Sequence, residues 1–307
     1  MVTTDDSHSP RDWNAPPPYD PAYWGLTISA ANAAQKRYFS TTDFGELGDK
    51  NAIIAFTRLR DDAFKEKGFT LKKPMDLHIY AIGEGSDGEM YDYGWIIDAK
   101  TNRKVWEMDF YDTEHAGGGG KNRMIDTVIR FEKGNYLAYF ITDDSHSFRD
   151  WNTSPPYDRE HWGLTISLAN EDADPADVAE YQESQDPNVL AKIVRVRDHA
   201  NLSERFTLEQ DADISIYALG EGSDGEMYDF GWIEEERTGR VVWEMTYRRS
   251  ERAGGARKNR MMRENIRLTA GQYRVHYQSD GSHSFRDWNA SPPHDPLNWG
   301  ITVRLAK

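Results

Sequence analysis

Cysteine is absent from all 307 residues, which removes disulfides, thiolate metal ligands and cysteine nucleophiles together. The absence does not choose a compartment: a reducing cytosol permits it, and so does an exported bacterial protein. No apolar run is long enough to span a bilayer, and no secretory leader is expected at the amino terminus. Positive charge is scarce, with 37 Lys and Arg against 52 Asp and Glu for a net charge of -15. Such a surface repels phosphate backbones and anionic lipid, so nucleic-acid and membrane-surface binding are disfavoured. What remains in quantity is aromatic, at 12% of the chain with 10 tryptophans.

Those tryptophans fall on a repeat. SHSPRDWNAPPPYDPAYWG starts at Ser7, SHSFRDWNTSPPYDREHWG at Ser145 and SHSFRDWNASPPHDPLNWG at Ser282. GEGSDGEMYD recurs at 83–92 and 220–229, VWEM at Val105 and Val242, and KNRM at Lys121 and Lys258. Self-similarity at a fixed period marks a tandem array, here with repeats over 50–167 and 188–307. The acidic, polar stretch 168–187 between them reads as a linker, with an Asp-Pro start suited to one short helix. There are two bodies but three tails, so residues 1–30 form an orphan carboxyl-terminal tail, and Val2-Thr3-Thr4 enters halfway along what is elsewhere a strand. Either the chain is cut from a longer array or this tail docks outside its own repeat, donating a strand to a neighbouring sheet.

Period-two alternation dominates each body, at 52–60, 76–82, 105–110, 126–131 and 135–142, with 162–167 as a closing strand. Short strands with little helix predict an all-β fold, two tandem antiparallel β-sandwiches of jelly-roll or immunoglobulin type. If each strand crosses the sandwich once, the loops at 83–89, 113–123 and 143–160 lie at the same end, opposite the turns at 98–103 and 132–135. Long, chemically rich loops at one pole of a rigid scaffold are the usual layout of a binding face.

Carboxylates crowd that pole. Glu84, Asp87, Glu89, Asp92 and Asp143 in the first repeat, and Glu221, Asp224, Glu226, Asp229 and Asp280 in the second, are candidate metal ligands. Hard oxygen donors on glycine-rich turns suit calcium, though the spacing is not that of an EF-hand. The competing reading is an internal ion-pair network with Lys121, Arg123, Lys258 and Arg260. Zinc is a poorer fit, because His115 has no counterpart in the second repeat, where Arg252 stands.

The candidate ligand-binding residues are His146, Arg149, Asp150, Trp151 and Tyr157, with His283, Arg286, Asp287 and Trp288. Exposed Trp and Tyr there would stack on a sugar or anchor a protein; the alternative is that Trp151 and Trp162 fold inward and staple the loop. Ser145, His146 and Asp150 include every residue type of a hydrolase triad, yet a triad needs an orienting acid and an oxyanion hole, which a local run does not supply. The simpler expectation is turn-closing Ser and Asp side chains, with His146 paired to a neighbouring carboxylate.

The phrases FTLEQDADISIYALG at 206–220 and LTAGQYRVHY at 268–277 resemble the pre-peptidase carboxyl-terminal modules of secreted bacterial proteins. That resemblance implies an exported, non-catalytic module, sometimes calcium-binding. The sequence therefore points to a non-enzymatic binding or assembly module stabilised by Ca2+, extracellular or periplasmic, with the cytoplasm left open. Its partner would be a protein or glycan, or another copy through strand donation. A carbohydrate-binding module is the alternative, and a Ser-His-Asp hydrolase the distant one.

Overall fold

Strands form where β-branched and aromatic residues alternate, and they stop where a polar side chain captures the backbone. The expected strand at 105–110 shows this: it runs only over Arg103–Glu107, because the Asp109 carboxylate accepts from the Tyr111 amide and opens a 3-10 turn at Phe110–Asp112. The strand expected at 76–82 is longer, Met75–Ser86. Its glycines let backbone approach backbone: a Cβ on Gly83 would sit 2.0 Å from the Asp92 carbonyl oxygen.

The computed structural model describes residues 52–170, 173–181 and 186–306, together with 8–9, 12–20, 22, 24–32 and 35. Val2-Thr3-Thr4 lies outside the described residues. Two compact units are formed, residues 1–96 with 106–181 and residues 97–105 with 182–307. The described residues contain strands and 3-10 turns but no α-helix.

A two-stranded pairing, β1 (His8–Ser9) with β2 (Asp12–Trp13), opens the chain. The first repeat follows as β3 (Ala52–Phe56), β4 (Phe64–Leu71), β5 (Met75–Ser86), β6 (Glu89–Met90), β7 (Tyr93–Asp98), β8 (Arg103–Glu107), β9 (Glu114–His115), β10 (Asn122–Phe131), β11 (Gly134–Ile141) and β12 (Gly163–Leu168). One sheet runs β3-β12-β5-β10-β9, with β6 on β5; the other runs β13-β4-β11-β7-β8, where β13 is Val178–Glu180. The chain changes sheet at each step from β3 to β5, stays in the second sheet from β7 to β8, returns to the first at β9 and β10, changes sheet again at β11 and β12, and brings the first strand beside the last. An immunoglobulin sandwich keeps its first two strands in one sheet, so this winding is the jelly roll. The core fills from both sheets, with Leu77, Ile79, Leu164 and Ile166 from one and Phe69, Trp95 and Tyr139 from the other, all at most 1% exposed.

The stretch read as a linker is partly sheet. Asp174 caps a single 3-10 turn at Pro175–Asp177, which is the short helix in its smallest form, and β13 then pairs with β4 in the register Ala179↔Thr70.

The second repeat winds in the same way: β14 (Val189–Val194), β15 (Asn201–Leu208), β16 (Ala212–Ser223), β17 (Glu226–Met227), β18 (Phe230–Glu235), β19 (Arg240–Glu244), β20 (Glu251–Arg252), β21 (Asn259–Leu268), β22 (Gly271–Gln278) and β23 (Gly300–Leu305). Its sheets are β14-β23-β16-β21-β20, with β17 on β16, and β15-β22-β18-β19.

Jelly-roll winding brings four connections to one end of each sandwich. In the first unit, the Gly85 amide donates to Lys121 O (2.9 Å), the Tyr157 amide to Ala116 O (3.0 Å) and the Asp143 amide to Asp92 Oδ1 (2.9 Å), joining the three loops singled out from the sequence. The fourth connection, 57–63, was not anticipated. It is laced to the 143–160 loop by the Asp62 amide on Asp143 O (2.8 Å) and the Phe148 amide on Leu59 O (2.9 Å).

Candidate metal centre

At the centre of this end sits a group of three acids. Glu84 enters from the end of β5, Asp92 from the turn before β7 and Asp143 from the loop after β11, and one carboxylate oxygen of each lies within 4.8 Å of the others. Glu221, Asp229 and Asp280 repeat the arrangement in the second unit. Glu84 and Asp92 are 4% and 0% exposed, so the charges stand away from water.

Each acid is held in place by its loop. Asp92 accepts from the Asp143 amide through Oδ1 (2.9 Å) and from Trp162 Nε1 through Oδ2 (3.1 Å). Asp143 accepts from the Ser145 amide through Oδ1 (2.9 Å). Glu84 pairs with Lys121 Nζ through Oε1 (2.7 Å), while its Oε2 is buried with no hydrogen-bond partner; Glu221 Oε2 is in the same state. A buried carboxylate oxygen left without a partner, on a glutamate grouped with two further carboxylates, is costly unless a cation meets it.

The ionisation equilibria show the same tension. Burial pushes Asp92 well above the usual carboxylate range, with Asp143 and Glu84 adding to it and the bonds from Asp143 and Trp162 opposing it. Asp229 is pushed up to about 7 by burial, then by Glu221 and Asp280. Glu84 and Asp143 are also raised, burial being the largest cause for both. With the lysine counted, three carboxylates and one ammonium leave a charge of about two negative, the complement of a divalent cation.

Not all the candidate ligands converge. Asp87 and Asp224 sit exposed at positive φ (54° and 53°) on the tip of their turns, and Glu89 and Glu226 are exposed across from Ser86 and Ser223. The side chains of Asp87, Glu89, Asp224 and Glu226 stay outside the two groups of three. Sequence reasoning missed another pair, Asp61 and Asp198. Each has a buried Oδ1 without a hydrogen-bond partner, and their charges raise Asp143 and Glu221 respectively. The signal was present: Arg-x-Arg-Asp-x-Ala recurs at 58–63 and 195–200.

The SHSFRDWN loops are folded inward rather than armed. His146 is 1% exposed and donates from Nε2 to Asn122 Oδ1 (2.6 Å), not to a carboxylate as expected. Asn122, fully buried, donates onward to Gly117 O (2.7 Å) and Ser154 O (2.9 Å), tying the 113–123 and 143–160 loops through one amide. Burial, with the Lys121 charge behind it, lowers His146 to about 4; burial and Lys258 lower His283 to about 3. Ser147 and Asp150 exchange backbone hydrogen bonds (3.1 and 2.9 Å), as do Ser284 and Asp287, so the run closes a turn instead of a triad.

Trp151 packs edge-on against Trp162 (4.9 Å between ring centres) and His146 (5.0 Å), and Trp288 does the same with Trp299 and His283. Arg149 and Arg286 are exposed and lie over Phe148 and Phe285 (5.3 Å each). Tyr157 is 78% exposed.

No family model matches this sequence, and no curated protein matches it. Among solved structures, the chain is similar to the CUB1-EGF-CUB2 domain of human MASP-1/3 at 10% identity and TM-score 0.24, over 83% of this chain and 98% of that one. The same region of rat MASP-1 gives 11% identity and TM-score 0.24, over 82% and 95%. Neither is a pre-peptidase carboxyl-terminal module, and neither likeness is strong enough to carry an argument about function. Among the described residues, no helix is long and apolar enough to cross a membrane.

Proposed function

We propose that this chain is a non-enzymatic tandem β-sandwich binding protein whose two loop poles are each clamped by a calcium ion. The ligands would be Glu84, Asp92 and Asp143 in one unit and Glu221, Asp229 and Asp280 in the other, with Asp61 and Asp198 beside them. The observation that carries the reading is the buried glutamate oxygen without a partner, found at the same place in both units. An all-oxygen donor set on loops suits calcium, which accepts six to eight ligands and flexible geometry, better than zinc or magnesium. By neutralising the carboxylates the ion fixes four loops in one conformation, and that fixed face is what meets a protein partner. Affinities of about 10⁻⁴–10⁻³ M, those of extracellular modules, fit an exported protein. For the glycan reading, Tyr111 and Tyr157 are the strongly exposed aromatics of the first unit's loops, because Trp151 and Trp288 are committed to packing inside the loop.

Calorimetric titration of the chelator-stripped chain with calcium tests this. The expected stoichiometry is two ions per chain, one after Glu84→Gln and none after Glu84→Gln with Glu221→Gln. No heat from the unsubstituted chain, or heat unchanged in the double variant, ends the reading.

A further inference from the structure

Residues 24–29, WGLTIS, are identical to residues 162–167, and the copies meet very different fates. In the first unit this segment becomes β12, seated between β3 and β5 and hydrogen-bonded on both sides, with Thr165 opposite Ala55 and Tyr80. Trp162, Leu164 and Ile166 are each 0% exposed there. In the amino-terminal copy Trp24, Leu26 and Ile28 are 41%, 63% and 78% exposed, and the segment is not in a strand.

The exposed copy is nonetheless shaped in advance. His8↔Trp13 and Ser9↔Asp12 pair as Ser147↔Asp150 and Ser284↔Asp287 do in the complete units. Trp13 and Trp24 meet edge-on at 5.1 Å and 86°, against 4.9 Å and 86° for Trp151 and Trp162. Gly25 takes φ 143°, beside 134° at Gly163 and 138° at Gly300. In the complete units that glycine has a purpose. A Cβ on Gly163 would fall 1.8 Å from Phe56 O on β3, and one on Gly300 would fall 2.0 Å from Ile193 O on β14. A Cβ on Gly25 would meet no atom within 4 Å among the described residues. The conformation that admits a neighbouring strand is held with the neighbour's place open.

We infer that the WGLTIS segment at 24–29 is a preshaped donor strand, which completes a jelly-roll body of this same repeat in which the slot between the first and third long strands is empty. A second copy of this chain with β12 and β23 seated offers no such slot, and exchanging one identical segment for another gains nothing. The acceptor is therefore a repeat body lacking its own closing strand. Insertion would supply main-chain hydrogen bonds on two sides and bury three large apolar side chains, the strand-addition mode of recognition.

A vacancy made in this chain is the probe. Leu164→Asp with Ile166→Asp, in the full chain, expels β12 and opens the slot of the first unit. The expected result is that this variant keeps the first unit's cooperative melting through residues 24–29, and that adding Leu26→Asp with Ile28→Asp abolishes it. Leu26→Asp with Ile28→Asp alone should leave the unsubstituted chain's melting unchanged, because its slots are filled. In a second arm, a fluorescein-labelled peptide of residues 1–30 should bind the four-substitution chain at least tenfold more tightly than the unsubstituted chain. Equal melting of the two slot-opened variants, together with equal peptide binding, overturns the inference.

Discussion

A few single residues bear the architecture, and their roles differ in kind. Gly163 and Gly300 are needed because the neighbouring strand's carbonyl occupies the place of a side chain and φ is positive. Gly163→Ala should cost roughly 2–4 kcal/mol by urea denaturation, whereas Gly25→Ala, with open space around it, should cost the complete units nothing. His146 and His283 act through burial. Their native pKa values, about 4 and about 3, lie below the ordinary 6.5, so the unfolded chain takes up protons that the folded chain refuses. Their contribution is whole above pH 6.5 and is lost as pH falls from there toward the folded values. The raised carboxylates Asp92 and Asp229 act in the opposite direction over this range, so the histidine share is read as a difference: between pH 6.5 and 4.5, measured by denaturant, the parent should lose stability relative to His146→Asn with His283→Asn.

Asn122 explains why part of the site was illegible. A buried amide that accepts from an imidazole and donates to two carbonyls is chemically indistinct in the sequence from any loop asparagine. Asp61 is a different case. Its recurrence as Asp198 was visible, but 52–60 reads as continuous alternation and hides the loop that begins after Phe56.

At the level of elements, alternation identified the long strands but not their sheets, because a period of two says which side chains share a face and nothing about which strand lies alongside. Strand parity did bring together the three long loops, since a strand that crosses once must return its successor's loop to the same end. The polar composition of 168–187 concealed β13, which lies against the edge of β4 with Tyr181 over Gly68. A Cβ on Gly68 would fall 2.8 Å from the Tyr181 ring and 3.1 Å from its carbonyl oxygen. Gly68→Val should therefore lift β13 and bare a sheet edge, seen as concentration-dependent light scattering absent from the parent. At the centre of the opposite sheet, Leu164→Ala should lower stability by roughly 2–5 kcal/mol.

For the whole molecule, the carboxylates couple ion binding to pH. Asp229 titrates at about 7 in the fold, above the ordinary 3.8, so the folded chain holds a proton that the unfolded chain has released. Without calcium that contribution is present below the unfolded value and disappears as pH rises through 7. In chelator the second unit's melting temperature should fall from pH 6.5 to 8, and calcium's stabilising shift should grow over the same interval. A calcium shift independent of pH would mean that the ion binds elsewhere.

The most direct measurement is anomalous diffraction from crystals of the full chain grown with calcium. The account predicts one strong peak per unit, within coordination distance of Glu84, Asp92 and Asp143 and of Glu221, Asp229 and Asp280. Ordered loops with water alone between those carboxylates, at millimolar calcium and neutral pH, would contradict it.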